Sequence, residues 1–391
     1  MKTSLATIVT VVGILIALSI IMIYSTSGIF AQEKFADENY YLKKQMIWVS
    51  VSLFCMIVFS YLPYRILRPL ALVGVFAALA LLVVTLLSPL GQAAGGASRW
   101  LKLGPFRFQP SEIAKLAIIV YMADVVARKQ ATVTEFFKSL LAPSILVGIV
   151  LVCVLKQPDL GTTVLLACTW MVIMFIGGIR FRYVVIFIMT GVVNLYFLIK
   201  LFPYRMKRII SFLDPFKDPH GSGFQIIQSF IALGSGGLHG VGLGQGTQKL
   251  FYLPEAHTDF IFAIIGEELG LIGTSSIVLL FAVFCISGMM IAYKCTDIFG
   301  KLLAAGITMM ITAQALINMC VVTGMLPTKG IPLPFLSFGG SNLLVNSIAI
   351  GILINVGVRG NEQPENAVLK TKRNAAAAEY NKGERKRLAN A

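Results

Sequence analysis

Long apolar runs alternate with short polar segments over most of the chain. A run of about 20 apolar residues can cross a bilayer as a helix, and backbone groups in lipid must hydrogen-bond within their own segment. The pattern therefore predicts an all-α polytopic membrane protein with about ten transmembrane helices. The predicted spans are residues 5–24, 46–62, 69–88, 111–127, 140–155, 162–178, 183–201, 259–293, 302–323 and 343–358.

An even number of spans places both termini on one side of the membrane. Short turns between the spans carry Arg65, Arg128 and Arg180, and basic residues in short turns favour the cytoplasmic side. The N- and C-termini are therefore predicted to be cytoplasmic. A large extracytoplasmic loop at 203–258 is predicted between the seventh and eighth helices.

Composition excludes a soluble globular protein, because 57% of the 391 residues are hydrophobic and only 13% are charged. The formal net charge is +15, and eight of the 33 basic residues lie in 359–391. This segment could bind nucleic acid, but a basic cytoplasmic tail beside anionic membrane lipid explains it more simply. We expect one membrane domain over 1–358, a mobile tail after it, and no nucleic-acid partner. The six cysteines show no C-x-x-C spacing, so neither a disulfide framework nor a zinc site is predicted.

Carboxylates are concentrated where the eighth span begins. Asp259 starts the span, and Glu267 and Glu268 lie within it. An ionisable group in a low-dielectric setting is costly and is a functional-site hypothesis by default. Asp259 could also cap the helix, which would stabilise it by about 0.5–2 kcal/mol, and the residues alone leave both roles open. The two glutamates lie about 12–13 Å further along a regular helix, so we predict a structural or cavity-lining role for them.

Two other polar positions lie at the starts of predicted helices. Pro110, Ser111 and Glu112 form an N-terminal signal for the fourth span. Glu112 and Lys115 are three residues apart and face the same side, either as an intrahelical ion pair or as the polar lining of a cavity. Asp159 lies in a tight turn, where it could cap the sixth span.

Glycine, proline and amide side chains mark three irregular or amphipathic segments. Seven glycines between Gly234 and Gly246 could cradle a diphosphate, but no strand precedes them, so close helix packing or flexible re-entry is favoured. Residues 324–342 combine prolines and glycines with apolar residues and are predicted to fold back into the protein as irregular backbone. Residues 224–233 place their polar side chains on one face and predict a helix lying in the membrane interface.

Several motifs resemble a known family over residues 5–358. They are SRWLKLGPFRFQPSEIAKLA from Ser98, QPDLGT from Gln157, FLDPFKDPHGSGFQIIQSFIALGSGG from Phe212, LPEAHTDFIFAIIGEELG from Leu253 and LPTKGIPLPFLSFGGSN from Leu326. In this order they are similar to those of the SEDS proteins, the FtsW/RodA/SpoVE family. The sequence around His257 resembles that of the family's division proteins more than that of its elongation proteins.

The resemblance implies a peptidoglycan glycosyltransferase that polymerises lipid II at the outer face of the bacterial plasma membrane, at the division septum. It also implies a class B penicillin-binding protein and other division proteins as partners. The family's essential aspartate falls on Asp259. A lipid II flippase and a non-catalytic division scaffold remain as alternatives, although no inverted repeat typical of many transporters is visible in the sequence.

The implied reaction converts an α-linked donor into a β-1,4-linked product, so one inverting displacement is enough. A carboxylate must accept the proton of the attacking hydroxyl, and positive charge must stabilise the leaving diphosphate. We therefore predict Asp259 as the general base. No metal-ligating residues and no certain cofactor are predicted, although Mg²⁺ or Mn²⁺ could share the stabilisation of charge. The predicted substrate-binding residues are Arg99, Lys102, Gln109, Ser111, Glu112, Lys115, Asp159, Arg205, Arg208, Lys249, His257 and Ser337.

Overall fold

The computed structural model describes residues 1–87, 91–94, 97–103, 106–249, 253–254 and 256–361. Helices dominate these residues, and three short strands accompany them. The α-helices are α1 Lys2–Phe35, α2 Tyr40–Tyr61, α3 Leu67–Leu87, α4 Pro110–Arg128, α5 Phe136–Ser139, α6 Leu141–Lys156, α7 Leu160–Ile176, α8 Phe181–Leu201, α9 Pro203–Leu213, α10 Phe224–Gly236, α11 Ile261–Lys294, α12 Ile298–Val322 and α13 Gly340–Arg359.

Each of the ten predicted spans corresponds to one of these helices, namely α1 to α4, α6 to α8 and α11 to α13. Among the described residues, seven helices are long and apolar enough to cross a membrane: α1, α2, α3, α8, α11, α12 and α13. Helices α6 and α7 are also apolar, but they are shorter. The helical, multi-pass membrane fold is thus confirmed. The count of ten spans, the cytoplasmic termini and the mobile tail, most of which lies outside the described residues, stay predictions.

Helix α1 is longer than its predicted span, because it continues past residue 24 to Phe35. The sequence there turns polar, which suggested a loop. In the structure the hydroxyls of Thr26 and Ser27 donate to the carbonyl oxygens of Met22 and Ile23, four residues earlier, at 2.7 and 2.6 Å. The hydroxyl groups of these side chains find hydrogen-bond acceptors on their own helix, so the polar residues do not end the helix.

A small antiparallel sheet replaces the turns predicted between the third and fourth spans. Its strands are β1 Gly91–Ala94, β2 Ala97–Leu103 and β3 Phe106–Phe108, paired in that order. Leu101 of β2 is only 3% exposed and lies opposite Phe108 in the register. Arg99 also belongs to β2, but it lies at a shift in the register, between the paired residues Ser98 and Trp100. The fold class remains helical, because the sheet lies outside the spans.

Helix α11 is broken at Gly270, whose φ of 66° and ψ of −162° lie outside the helical region. The glycine-rich segment after α10 fills this break. The N–H groups of Val241 and Gly242 donate to the carbonyls of Glu267 and Glu268 at 2.9 and 3.1 Å, and the N–H of Leu271 donates to the carbonyl of Gly237 at 2.9 Å. Main-chain groups released by the break are therefore satisfied by the adjacent segment. The close-packing interpretation of these glycines is confirmed.

The loop between α12 and α13 folds back into the protein as predicted. Leu333, Phe335 and Leu336 are at most 1% exposed. Ser337 accepts a hydrogen bond from the N–H of Leu333 at 2.8 Å, and Ser19 of α1 donates to the carbonyl of Leu336 at 2.9 Å. Irregular backbone is tolerated here because its polar groups have partners within the protein.

The amphipathic helix predicted at 224–233 forms as α10, but part of its polar face turns inward. Ser229 is fully buried and donates to the carbonyl of Val322 at the end of α12, 2.7 Å away. The prediction overlooked this tertiary partner. An additional helix, α9, precedes it and was not predicted.

Packing is uneven across the helices. About four fifths of the apolar stretch of α13 is buried (78%), against only 6% of that of α8. Helix α8 therefore lies at the periphery, while α12 and α13 form the centre of the molecule with α4.

Candidate active site

A cleft of about 590 Å³, including its open mouth, lies between the end of α8, α9, the turn before α7 and the loop after α12. Four cationic side chains line it: Arg99, Arg205, Arg208 and Lys329. Asp159 is the one carboxylate among the lining residues. This excess of positive charge in a partly enclosed space suits a multiply charged anion such as a diphosphate.

Arg99 reaches the cleft from strand β2. Its guanidinium donates to the carbonyls of Gln157 and Pro158 at 3.3 and 2.5 Å, and its Nε lies 3.9 Å from Asp159 Oδ2. Asp159 in turn accepts from the backbone N–H of Thr162 at 3.1 Å and from the Thr162 hydroxyl at 2.9 Å. The capping role predicted for Asp159 is confirmed, and the same residue borders the cleft.

Helix α9 supplies two arginines from one face, because Arg205 and Arg208 are three residues apart. Arg205 is 6% exposed, its guanidinium lies 4.5 Å from the Phe202 ring centroid, and its Nη1 donates to the carbonyl of Leu198 at 3.4 Å. Its buried Nε has no hydrogen-bond partner among the described residues. Arg208 Nη1 donates to the carbonyl of Thr328 at 2.9 Å, which links α9 to the loop after α12.

Lys329 is a cleft residue that the sequence-based prediction missed. It lies in the loop after α12, and burial lowers the pKa of its amine. The Asp159 carboxylate opposes this shift in the pKa, and the charges of Arg208 and Arg205 add to it. A signal was present in the sequence, because Lys329 is the single charge in an apolar, proline-rich segment. The prediction of irregular backbone for 324–342 takes no account of this charge.

Asp259 lies beside the wall of this cleft. Helix α11 begins at Ile261 with Phe260 as its N-cap residue, so Asp259 is outside the capping position. A Cβ atom built on Gly330 would lie 3.0 Å from Asp259 Oδ2 and 3.7 Å from Arg99 Nη1. Gly330, a lining residue of the cleft, therefore lies close to both the Asp259 carboxylate and a cleft arginine. The capping role weighed for Asp259 is wrong, because the helix starts two residues later.

Glu112 and Lys115 form the predicted intrahelical ion pair at 2.7 Å, with both side chains buried. Glu112 also accepts from Asn342 Nδ2 at 3.0 Å, and Lys115 donates to Gln314 Oε1 at 2.7 Å. Three helices thus satisfy the pair inside the bundle. Neither residue lines the cleft, so their contact with a substrate stays a prediction.

Lys249 is engaged away from the cleft. Its amine lies 2.7 Å from Glu268 Oε1 and 2.9 Å from the Ser25 hydroxyl, and the lysine is 9% exposed. The neighbouring Glu267 accepts from the backbone N–H groups of Thr247 and Gln248 at 2.7 and 3.2 Å. The structural role predicted for both glutamates is confirmed. Lys249 ties the loop to α11 and α1, and it is not among the residues that line the cleft.

The remaining predicted residues whose side chains the structure describes also lie outside the cleft. The backbone N–H of Gln109 donates to Ser341, Ser111 is fully buried, and Ser337 supports its own loop. The His257 ring packs against Tyr41 with centroids 4.7 Å apart. The Lys102 side chain lies outside what the structure describes. Of the predicted substrate-binding residues, those that line the cleft are Arg99, Asp159, Arg205 and Arg208.

The described part of the chain contains no group of three or more His, Cys, Asp or Glu side chains placed to hold a metal ion. Mg²⁺ is commonly bound by one or two carboxylates together with substrate phosphates. Asp159, which lines the cleft, and a diphosphate within it are the groups that fit such a shared ion. A divalent cation therefore stays a prediction.

Comparison with known proteins connects this geometry to a family. A model of the FtsW/RodA/SpoVE cell cycle proteins matches residues 5–362. The probable peptidoglycan glycosyltransferase FtsW of Geobacter sulfurreducens is 44% identical over 340 residues, which cover 87% of this chain and 91% of that protein. Stage V sporulation protein E of Bacillus subtilis is 41% identical over 343 residues, which cover 88% of this chain and 93% of that protein.

Solved structures share the fold. A chain of a peptidoglycan synthase complex that coordinates polymerization and crosslinking superposes with a TM-score of 0.76 at 27% identity, over 91% of this chain and 98% of that one. The rod shape determining protein RodA of Thermus thermophilus superposes with a TM-score of 0.68 at 24% identity, over 91% of this chain and 97% of that one. The family resemblance read from the motifs is confirmed, and this chain belongs to the FtsW/RodA/SpoVE family of cell cycle proteins.

Proposed function

We propose that this chain is a peptidoglycan glycosyltransferase that polymerises lipid II at the outer face of the plasma membrane. The observation that carries the proposal is a cleft lined by four cations, with the Asp259 carboxylate beside its wall. The FtsW relatives are named as probable peptidoglycan glycosyltransferases, which supports the same activity here. The pairing of a cationic cleft with a carboxylate suits a reaction that expels a diphosphate.

The donor's undecaprenyl diphosphate occupies the cationic cleft in this proposal. As the bond between the sugar C1 and the diphosphate oxygen breaks, negative charge grows on the leaving group. Arg205, Arg208, Arg99 and Lys329 are already held in place, so they stabilise that charge without reorganising.

Asp259 acts as the general base. The acceptor's sugar 4-hydroxyl attacks C1 from the face opposite the leaving group, its oxygen forms the new C1–O bond, and its proton passes to the Asp259 carboxylate. One displacement inverts an α-linked donor into a β-1,4 linkage. Positioned proton transfer of this kind contributes about 10²- to 10⁴-fold to a rate. A Mg²⁺ or Mn²⁺ ion held at the diphosphate, in the cleft lined by Asp159, would add Lewis-acid stabilisation of the leaving group.

The family and fold also suggest the cellular setting. We propose a class B penicillin-binding protein as the partner that cross-links the strands, together with other division proteins at the septum. The structural relative from a peptidoglycan synthase complex supports a synthase partner of this kind. The similarity to FtsW proteins favours division over elongation.

The test is polymerisation of labelled lipid II by purified protein, assayed with the cognate penicillin-binding protein present and its transpeptidase blocked. We expect glycan chains from the wild-type protein and a loss of about 100-fold or more in Asp259→Asn. Asp297→Asn is the matched control, because Asp297 caps α12 at the far end of α11 by accepting from the Gly300 N–H, and asparagine also caps helices. Full polymerisation by a well-folded Asp259→Asn protein would contradict the proposed base.

The same preparation separates the alternative functions. Movement of labelled lipid II between leaflets without glycan formation would favour a flippase. Neither movement nor glycan, with the partner supplied, would favour a scaffold. The cationic cleft beside a carboxylate favours the enzyme, because a scaffold has no need for a diphosphate site.

A further inference from the structure

Two amides on α12 face the region between Asp259 and the cleft. Gln314 and Asn318 are four residues apart, so they lie one above the other on the same face of the helix. Both are buried, at 0% and 1% exposure. A mid-helix amide in an apolar bundle is costly unless it is satisfied, so its partners indicate why it is there.

Asn318 joins two segments that are distant in sequence. Its Nδ2 donates to the carbonyl of Asp259 at 2.8 Å and to the carbonyl of Ile331 at 2.7 Å. A single amide group thereby uses both of its hydrogens, one on each segment. One of these segments carries the carboxylate, and the other carries Gly330 and Lys329 of the cleft.

Gln314 extends the same ladder by one turn. Its Nε2 donates to the carbonyl of Pro332 at 2.9 Å, and its Oε1 accepts from Lys115 at 2.7 Å. Two consecutive carbonyls of the loop after α12 are therefore held by α12. The ladder ends on the buried pair of Lys115 and Glu112 in α4, which anchors it to the centre of the bundle.

Asn318 does not satisfy all of its own polar atoms. Its Oδ1 is buried and has no hydrogen-bond partner among the described residues. Leaving a buried acceptor without a partner costs stability. What asparagine provides at this position is one group with two donors, which neither a carboxylate nor a hydroxyl can supply.

We propose that Asn318 is a positioning residue for the reaction: it holds the Asp259 main chain against the 330–331 segment and so sets the distance between the proposed base and the cationic cleft. This inference rests on the proposed glycosyltransferase function. It assigns Asn318 no contact with the substrate. Asn318 affects how the base is aligned with the diphosphate, and this alignment changes the rate of the chemical step.

The experiment compares Asn318→Leu with Asn355→Leu in full-length protein with its partner. Asn355 is a matched control, because it is fully buried and donates to the carbonyl of Ser60 at 2.7 Å, far from the cleft. We expect Asn318→Leu to lower kcat for lipid II by about 10- to 100-fold, since a misplacement of about 1 Å can cost 10²-fold. Its KM should change by no more than about twofold, because the cleft cations remain. Asn355→Leu should lower thermal stability while leaving kcat near the wild-type value.

Two further readouts separate positioning from general damage. The acid limb of the pH–rate profile, which reports the base, should move in Asn318→Leu and not in Asn355→Leu. Asn318→Ser keeps one donor in a smaller side chain and should give an intermediate kcat, which also covers a Leu variant that fails to fold. An Asn318 variant that keeps kcat and its pH profile, while the wild type polymerises and Asp259→Asn does not, overturns this inference alone. Absence of glycan from the wild type overturns both this inference and the proposed function.

Discussion

At the scale of single residues, the geometry of the candidate site depends on two neighbouring residues of the loop after α12, Gly330 and Lys329. Gly330 lies close to the Asp259 carboxylate and the Arg99 guanidinium, and a Cβ there would require the carboxylate to shift by a few tenths of an ångström. Lys329, which precedes Gly330, is a half-buried lysine whose positive charge is stabilised by Asp159 and destabilised by two arginines. Through these two residues, the loop after α12 contributes both to the position of the proposed base and to the positive charge of the cleft.

Replacing Gly330 by alanine should lower polymerisation. The new Cβ would lie 3.0 Å from Asp259 Oδ2, so the carboxylate must move by a few tenths of an ångström away from its position at the cleft. We expect kcat to fall about tenfold with little loss of stability, because alignment of the base is what changes. Gly339→Ala is the control, because its Cβ would meet nothing closer than 3.7 Å. Equal rates for the two variants would show that the Asp259 carboxylate tolerates this displacement.

Lys329 should make substrate affinity sensitive to alkaline pH. Burial lowers the pKa of its amine below the ordinary value of 10.5, so the amine loses its proton at a lower pH than an exposed lysine. Only the protonated amine attracts a diphosphate, and the protonated fraction falls as pH rises. We therefore expect KM for lipid II to increase on the alkaline side, at pH values below that ordinary value.

Lys329→Arg tests this assignment, because an arginine keeps its charge throughout the accessible pH range. The alkaline rise in KM should disappear in this variant. An unchanged alkaline limb would mean that another group titrates there. The free energy of unfolding should change with pH in the favourable direction. Burial of a charged lysine is costly, so the stability of the wild-type protein should increase as pH rises through the lowered pKa.

At the scale of elements, the broken helix α11 and the glycine-rich segment form one unit. The break at Gly270 releases main-chain groups, and residues 237–242 supply their partners. Gly236 and Gly240 approach α11 so closely that a Cβ would lie about 2 Å from the carbonyl oxygens of Gly266 and Glu268. Glu267 and the buried pair of Lys249 with Glu268 then hold the following residues against the same helix.

Gly240→Ala should destabilise the protein more than Gly244→Ala. Both glycines have positive φ, 79° and 81°, so both substitutions carry the strain of a left-handed conformation, about 1–2 kcal/mol. Only Gly240 meets backbone atoms of α11, whereas a Cβ on Gly244 would have nothing within 4 Å. Overpacking against backbone adds about 1–3 kcal/mol, so the free energy of unfolding should differ by that amount. Thermal unfolding in detergent measures the difference, and indistinguishable midpoints would contradict the close approach.

At the scale of the whole molecule, the cleft is assembled from distant parts of the chain. Its lining residues run from Arg99 in the small sheet to Gly330 after α12. The centre of the bundle anchors one side through α4 and α12, while the opposite side includes the end of α8, of which only 6% of the apolar stretch is buried. The proposed base therefore lies on the well-packed side, where Asn318 holds its main chain, and the least packed predicted span contributes the other wall.

Local chemistry was enough for the sequence to determine most of the helices, the cap at Asp159 and the ion pair of Glu112 with Lys115, whereas the choice of Asp259 as the candidate base depends on the family resemblance. The helices, the cap and the ion pair depend on interactions within one or two helical turns. They can therefore be predicted from residues that are close together in the sequence. The position of Lys249 could not be predicted from its neighbours in the sequence, because its partner Glu268 belongs to another element. The break in α11 and the role of Asn318 likewise depend on carbonyl groups that folding brings from elsewhere in the chain. Only the tertiary structure decided these, because desolvation in the interior makes each buried polar group require a partner, whatever its distance in sequence.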